Sequence, residues 1–426
     1  MDRKMRSANH LFCFLEIFAS EGGIQSYVKD IFKAYVSITA RTNSAPQAEV
    51  LLLRDSEDCN NPYESKDLKF YYLKTENPGL GRLKFATVLL TRLLQKRPQR
   101  VFCGHIKLAP LIQILCQPLG IPYTILTYGK EVWEPLPPKY QTAMRQADSI
   151  WTISRYTRDR TCEINNLNPE KFQIVPCTVD GNIFTVGSKS QHLLAQYNLI
   201  QDLRTPTKET GFFYENTSLN PADSVKNPVS GPMSVSPMIN AKILMTVARL
   251  RSTDIYKGVD VTIQALPQIA KTFPNVKYLV IGRGDDRPRL AKLADDLGVT
   301  ERVIFAGFVP TENLAAHYQL ADAYVMPSQE GFGIVYLEAL ACGVPVLAGD
   351  TDGSADPLQD GKLGWRVPHR DSAAVAVACV EMLRGEDKRC DRHWLREQTL
   401  ARFSFESLCQ SLQGIFQPSD SDKLMP

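Results

Sequence analysis

The segment Ser328-Gln-Glu-Gly-Phe-Gly-Ile-Val-Tyr-Leu-Glu338 decides the reading of this chain. Two carboxylates, Glu330 and Glu338, stand eight residues apart around the turn Gly331-Phe332-Gly333. Ala323-Tyr-Val-Met-Pro327 before it has the pattern of a short apolar strand. Ile334 to Cys342 after it has that of a helix apolar nearly all round, and so buried. A strand, a glycine turn and a helix start form a site for an anion, because the first helical amides lack partners and the dipole favours negative charge there. Glu330 then lies on the loop and Glu338 about one turn into the helix, ~6 Å along the axis from Ile334 at ~1.5 Å per residue. Acceptors on both sides of an anion site suit a phosphate carrying hydroxyls on either side, as a nucleotide sugar does.

Outward from this segment the chain alternates short apolar runs with helical patterns, the signature of parallel βαβ units. The predicted strands are Leu11–Phe18, Val50–Leu53, Phe70–Leu73, Val101–Cys103, Tyr123–Leu126, Ser149–Ile153 and Phe172–Val175, then Ala241–Val247, Val276–Ile281, Val303–Phe305, Ala323–Met326 and Val344–Leu347. Ile24–Val36 is the first predicted helix, after a Glu21-Gly-Gly23 turn. The fold class is α/β, with two doubly wound units and a cleft between them at the carboxyl ends of the strands.

With Gly307-Phe-Val-Pro310 before it and Ala339-Leu-Ala-Cys-Gly-Val-Pro-Val346 after it, the Glu330–Glu338 segment resembles the Glu-x7-Glu motif of retaining GT-B glycosyltransferases of family 4. The resemblance spans roughly residues 10 to 415, apart from the middle. It implies an acceptor domain over 1–186, a linker or insertion over 187–240 and a nucleotide-sugar domain over 241–400. A helix over 401–417 would return to the first domain, and 418–426 would be a disordered tail. Glu215 to Asn240 is rich in Ser, Pro and Asn, which suits a passive linker or a lid over the cleft.

The resemblance also distributes roles. Arg249, after the strand ending at Val247, and Lys257, before the next helix, would bind the donor diphosphate and stabilise it as it leaves. Read without the family, they are an ordinary surface Arg and Lys in ion pairs. Glu330 would lie beside the sugar hydroxyls and Glu338 on the ribose. Gly23, Gly282, Val309, Phe332, Gly333, Ile334 and Val335 would complete the donor site. Gly22-Gly23 also reads as a plain tight turn, and Phe308 and Val309 as core. Gly282-Arg-Gly284 lacks the third glycine of a dinucleotide fingerprint. His105 and Tyr128 would touch the acceptor or the sugar. For His105 a supporting role behind the cleft is an equal alternative, and Tyr128 stands where relatives carry a His. Glu131 is a further candidate to line the cleft.

Asp350-Thr-Asp352 is a D-x-D that could hold a divalent ion. Its place late in the chain argues against that, so no metal and no cofactor beyond the donor is expected. No carboxylate is placed as a covalent nucleophile, so the implied mechanism is front-face attack by an acceptor hydroxyl. The acceptor would be a carbohydrate or a lipid-linked molecule, in polysaccharide or glycolipid assembly. An epimerase on the same fold and a non-catalytic sugar-nucleotide binder are the competing readings.

Composition sets outer bounds. The chain has 426 residues, 44% hydrophobic and 22% charged, enough for two or three ordinary domains. A net charge of +3 does not argue for nucleic acid. Ten cysteines without a C-x-x-C pair suggest thiols in a reducing compartment. Asp2, Arg3, Lys4 and Arg6 are not followed by a leader-like apolar run, and no stretch would span a membrane. A cytoplasmic protein is expected. Gly81 to Arg100 contains a basic amphipathic helix, either a crossover helix with a solvated face or a device for peripheral contact with the inner face of the plasma membrane.

Overall fold

The apolar runs become two parallel sheets in the computed structural model, which describes residues 10–20, 22–40, 48–199 and 241–416. The first sheet contains β1 (His10–Phe14), β2 (Ala48–Leu52), β3 (Leu68–Tyr72), β4 (Arg100–Cys103), β5 (Tyr123–Thr127), β6 (Ser149–Thr152) and β7 (Phe172–Ile174), in the order β3-β2-β1-β4-β5-β6-β7. Its helices are α1 (Gly23–Ala40), α2 (Pro78–Lys96), α3 (Ala109–Cys116), α4 (Pro138–Gln146) and α5 (Arg155–Asn165), and a short α6 (Gln191–Gln196) follows. The second sheet contains β8 (Ile243–Val247), β9 (Lys277–Ile281), β10 (Val303–Gly307), β11 (Ala323–Met326), β12 (Val346–Gly349) and β13 (Gly364–Val367), in the order β10-β9-β8-β11-β12-β13. Around it lie α7 (Val259–Thr272), α8 (Arg287–Asp296), α9 (Thr311–Tyr318), α10 (Ile334–Ala341) and α11 (Ser372–Arg384). The described residues end in α12 (Arg392–Phe403) and α13 (Phe405–Phe416).

Both orders reverse direction at a defined place, between β1 and β4 in one sheet and between β8 and β11 in the other. Loops leaving two such neighbours diverge to opposite faces and open a crevice. The crevice of the first sheet is flanked by the loops holding Gly23 and His105. That of the second is flanked by those holding Lys257 and Glu330.

Several predicted boundaries move for local reasons. The first strand ends at Phe14 instead of Phe18, because the buried carboxylate of Asp55 accepts hydrogen bonds from the amides of Ile17, Phe18 and Ala19 at 2.7, 2.9 and 2.6 Å. A chain held that way cannot also pair in a ladder. The basic helix runs from Pro78 to Lys96, capped by the Asn77 side chain and stopped by a left-handed Arg97 before Pro98. α10 is not buried all round, since Ile334, Val335 and Glu338 stay partly open on one side. β13 has no counterpart among the predicted strands, being a short edge strand interrupted by Arg366. Residues 200–240 and 417–426, which include most of the predicted linker and the tail, lie outside the described residues.

α13 lies on α1, against the face of the first sheet. The ring of Phe416 sits edge-on among Tyr35, Phe12, Phe102 and Trp151, with centroids 4.9 to 6.3 Å away. The chain therefore passes between the two units twice. Arg396 of α12 fastens the crossings together by donating to the carbonyls of Gly181, Phe184 and Ala341. All ten cysteines are free thiols. Among the described residues no helix is long and apolar enough to cross a membrane.

Candidate functional site

Lys257 is the last residue of a short 3-10 segment, and Gly258 behind it packs on the carbonyl of Pro327. That contact ties the loop after β8 to the loop after β11 and aims the Lys257 ammonium at Glu330, with which it forms an ion pair. Both side chains are only 16% exposed. Burial alone would lower the Lys257 pKa, but the Glu330 carboxylate more than offsets it and carries the ammonium above the ordinary lysine value. Ser328 Oγ donates a second hydrogen bond to Glu330 Oε1 at 3.2 Å. Arg249 shares a cavity wall with Lys257 and lies 3.4 Å from Asp254, with its guanidinium largely open to water.

Glu330 is fixed through its backbone. Its amide donates to Asp352 Oδ2 at 2.6 Å and its carbonyl accepts from the Gly353 amide at 2.8 Å. Asp352 also receives the Ser354 amide at 2.9 Å, and burial pushes its carboxyl up to about 7 despite these bonds. In the D-x-D, therefore, both Asp352 oxygens are taken by donors of the protein itself. No group of three or more His, Cys, Asp or Glu suited to a metal ion occurs among the described residues.

The glycines of the turn answer to two neighbours. A side chain at Gly331 would meet the Tyr128 carbonyl at 2.1 Å, so the turn abuts the loop after β5 in the opposite unit. Gly333 has φ +95° and leads into α10, whose first residue, Ile334, faces Gly23 at the start of α1. A Cβ on Gly23 would lie 3.8 Å from Ile334 Cδ1, so two helix N-termini confront each other across the cleft. One turn along α10, Glu338 receives the Tyr318 hydroxyl at 2.7 Å, and burial raises its carboxyl to about 7.

Other predicted residues lie elsewhere. Phe332 is buried and packs on Phe403, so only its backbone reaches the turn. Tyr128 is also buried, with its hydroxyl committed to the Gly104 carbonyl at 2.9 Å. Glu131 turns under its own loop to accept the amides of Tyr128 and Gly129, at 2.5 and 3.3 Å. His105 caps the turn after β4 through Nδ1, which accepts the Lys107 amide at 3.1 Å and places the ring proton on Nε2. Burial, then Lys107 and Arg54, pull its pKa down to about 4, so the ring is neutral at pH 7. Gly282 closes β9 against the Ala248 carbonyl. Val309 is half-buried beyond β10, next to an exposed Phe308 whose ring lies under the Arg283 guanidinium at 4.8 Å.

One cation was not among the candidates. Lys130, from the first unit, reaches across and lies over the ring of Tyr256, the neighbour of Lys257. Burial lowers its pKa, Glu330 opposes that, and Lys257 adds to it. Sequence spacing held no signal for it, because only the fold brings residue 130 to residue 257. The result is a cleft with Lys130 on one wall, Lys257 and Arg249 on the other, and Glu330 among them.

Residues 241–385 match the family model described as glycosyl transferases group 1. A GDP-mannose-dependent alpha-(1-6)-phosphatidylinositol monomannoside mannosyltransferase of Mycolicibacterium smegmatis is 27% identical over 414 residues, covering 92% of this chain and 95% of the relative. A GDP-mannose-dependent monoacylated alpha-(1-6)-phosphatidylinositol monomannoside mannosyltransferase of Corynebacterium glutamicum is 25% identical, covering 93% and 94%. Among solved structures, the sucrose-phosphate synthase of Thermosynechococcus elongatus superposes with a TM-score of 0.69 at 18% identity, covering 96% of this chain and 98% of that one, a likeness of fold. No support for an epimerase comes from these comparisons. Taken with the paired parallel sheets and the loop and helix that carry Glu330 and Glu338, they give an enzyme that transfers sugars, with a GT-B fold whose second unit, over residues 241–385, matches the group 1 glycosyltransferases.

Proposed function

We propose that the protein transfers mannose from GDP-mannose to a hydroxyl of a lipid-linked acceptor, with retention at the anomeric carbon. The observation that carries this reading is the Lys257–Glu330 pair, held at the crevice between β8 and β11 and faced by Lys130. The choice of mannose and of a phosphoinositol glycolipid draws on the relatives of similar length.

The arrangement supplies a sequence of events. An arriving diphosphate competes with Glu330 for Lys257 and recruits Arg249, whose guanidinium is open to it. Glu330, released from the pair but kept in place by Ser328, then accepts hydroxyls of the sugar. Glu338 receives the ribose, and the base lies toward Val309 and Arg283. As the glycosidic bond breaks, charge grows on the diphosphate where the cations already stand. The acceptor hydroxyl attacks from the face that the diphosphate leaves and passes its proton to the departing phosphate oxygen. Glu131 and Asp352 are committed to backbone amides, and neither takes part as a nucleophile. The reaction proceeds without a metal ion.

A lipid acceptor brings the enzyme to a surface, and α2 has the character for it. Leu80, Leu83, Leu90 and Leu94 stand exposed along one stripe, while Phe85, Leu89 and Leu93 face the core. Arg82, Lys84 and Lys96 are exposed on the same helix, Arg97 follows it, and the helix has no acidic residue. An apolar stripe on a helix with exposed cations and no acidic residue suits an anionic membrane surface.

The test is transfer by the purified protein from GDP-mannose, UDP-glucose or ADP-glucose to phosphatidylinositol monomannoside, with and without EDTA. Release of GDP with formation of an α-linked dimannoside, unaffected by EDTA, is expected. Transfer from another nucleotide sugar alone would replace the donor assignment, and loss with EDTA would overturn the metal-free mechanism.

A further inference from the structure

A cross-domain contact is built into the same region, and its meaning rests on the transfer reading above. Arg155, the first residue of α5, belongs to the first unit. Its amide donates to Asp356 Oδ2 at 2.7 Å, its Nε donates to Asp356 Oδ1, and its outer guanidinium nitrogen donates to Asp360 Oδ1 at 2.8 Å. Asp356 is 7% exposed on its side chain, so the second unit presents a nearly buried carboxylate to the N-terminus of a helix in the first. There it also meets the positive end of the helix dipole.

The place of Asp356 in the chain gives the contact its leverage. Asp356 ends the short helical turn 353–355, and the Asp356 amide donates to the Gly353 carbonyl. Asp352 and Gly353, at the other end of that turn, are the two residues that grip the amide and the carbonyl of Glu330. Arg155 is thus joined to Glu330 through one turn that is bonded at both ends. A shift of the first unit away from the second pulls on the bracket that holds the catalytic loop. Gly331 in that loop bears on the Tyr128 carbonyl, so the loop is pinned from a second side as well.

We infer that Arg155 and Asp356 form a closure latch, a positioning pair that sets Glu330 and Lys257 in register only when the two domains are shut. Neither residue touches the donor. They act through Asp352 and Gly353, and a displacement of about 1 Å at a catalytic group is enough to slow a reaction on the order of 100-fold. The ion pair is partly open to water, so it can break and re-form in each cycle.

The experiment compares wild-type protein with Arg155→Met, Arg155→Lys and Asp356→Asn in three readouts: kcat and KM for GDP-mannose, the dissociation constant of GDP, and the radius of gyration by solution scattering. Arg155→Met keeps the backbone contact and removes the guanidinium. It is expected to lower kcat by about 10- to 100-fold, to leave GDP affinity within a few-fold because the nucleotide sits on the second unit, and to expand the particle. Arg155→Lys should recover part of kcat, and a protein carrying both Arg155→Met and Asp356→Asn should be no worse than either single variant, as for residues acting as a unit. A kcat unchanged in Arg155→Met would overturn the latch, as would a loss of kcat with no change in scattering. If wild-type protein transfers no sugar from any donor, the transfer reading fails on its own. Scattering with and without GDP still decides whether Arg155 closes the domains.

Discussion

Lys257 and Glu330 share one property that sets their chemistry: each satisfies the other until something better arrives. Replacing Lys257 with Met removes the cation that receives the growing phosphate charge, and kcat is expected to fall by about 100- to 1,000-fold. Glu330 would keep its Ser328 bond, so the melting temperature should move little; a large drop would mean that the pair is structural. Glu338 and Asp352 give a second prediction at this scale. Both carboxyls are raised by burial to about 7, so the native state binds more protons than the unfolded chain between the ordinary carboxylate range and pH 7. Stability contributed by these groups therefore rises as pH falls from 8 toward 5, by at most ~1.4 kcal/mol per pH unit for each. The buried His10 and His105, lowered to about 4, give the opposite slope below about pH 6.5, so the carboxyl contribution is read as the difference between wild type and Glu338→Gln in urea unfolding at pH 5 to 8; an identical slope in the two would contradict the burial argument. At the residue scale the sequence set charge next to a turn at Lys257 and at Glu330, and the structure brings these two together. Tyr128 and Phe332 misled because a large aromatic beside a glycine loop fits the core as well as the cleft. Asp55 gave no signal, and Asp352 only that of a D-x-D, since what they hold lies 36 to 38 and 22 residues away.

Among the elements, α2 makes the plainest claim. Its Leu83 and Leu94 are 64% and 56% exposed, so replacing both with Asp costs little folding free energy, about 0.5 kcal/mol or less each. Binding to vesicles containing phosphatidylinositol is expected to drop at least ten-fold, while transfer to a water-soluble mannoside persists. Equal vesicle binding by the variant would assign the stripe no membrane role. The sequence displayed this helix because leucines and cations share its periodicity, though periodicity alone does not say which leucines the sheet covers. β11 and α10 were legible to within a residue, because an apolar run and a glycine punctuate them cleanly. β13 was not, since an edge strand needs only one covered side and tolerates Arg366.

For the whole molecule, alternating runs announced two α/β units, but strand order is a property of space and leaves no mark in the run lengths. That order is what puts Lys257 and Glu330 on adjacent loops. It likewise puts Gly23 opposite Ile334, a pairing of residues more than three hundred positions apart. The two passages between the units, clamped by Arg396, define an axis, so opening is expected to be a rotation. Phe416→Ala tests how far the final helix supports the first unit. It removes a fully buried ring from an aromatic cluster and should cost about 3–5 kcal/mol, seen as an early loss of the first unit in urea. A loss confined to the second unit would contradict the packing described here.

The return of α13 has a consequence for biosynthesis. The first sheet is fully translated by Ile174, yet the helix that covers part of its face is encoded after the whole second unit and ends at Phe416. At about 5–20 residues per second, the ribosome needs roughly 10–50 s to deliver it. Throughout that interval Phe12, Phe102 and Trp151 wait beneath a missing helix. The nascent first unit is thus a natural client for chaperones, and termination of translation before α13 leaves the first unit uncovered although all of its strands are made.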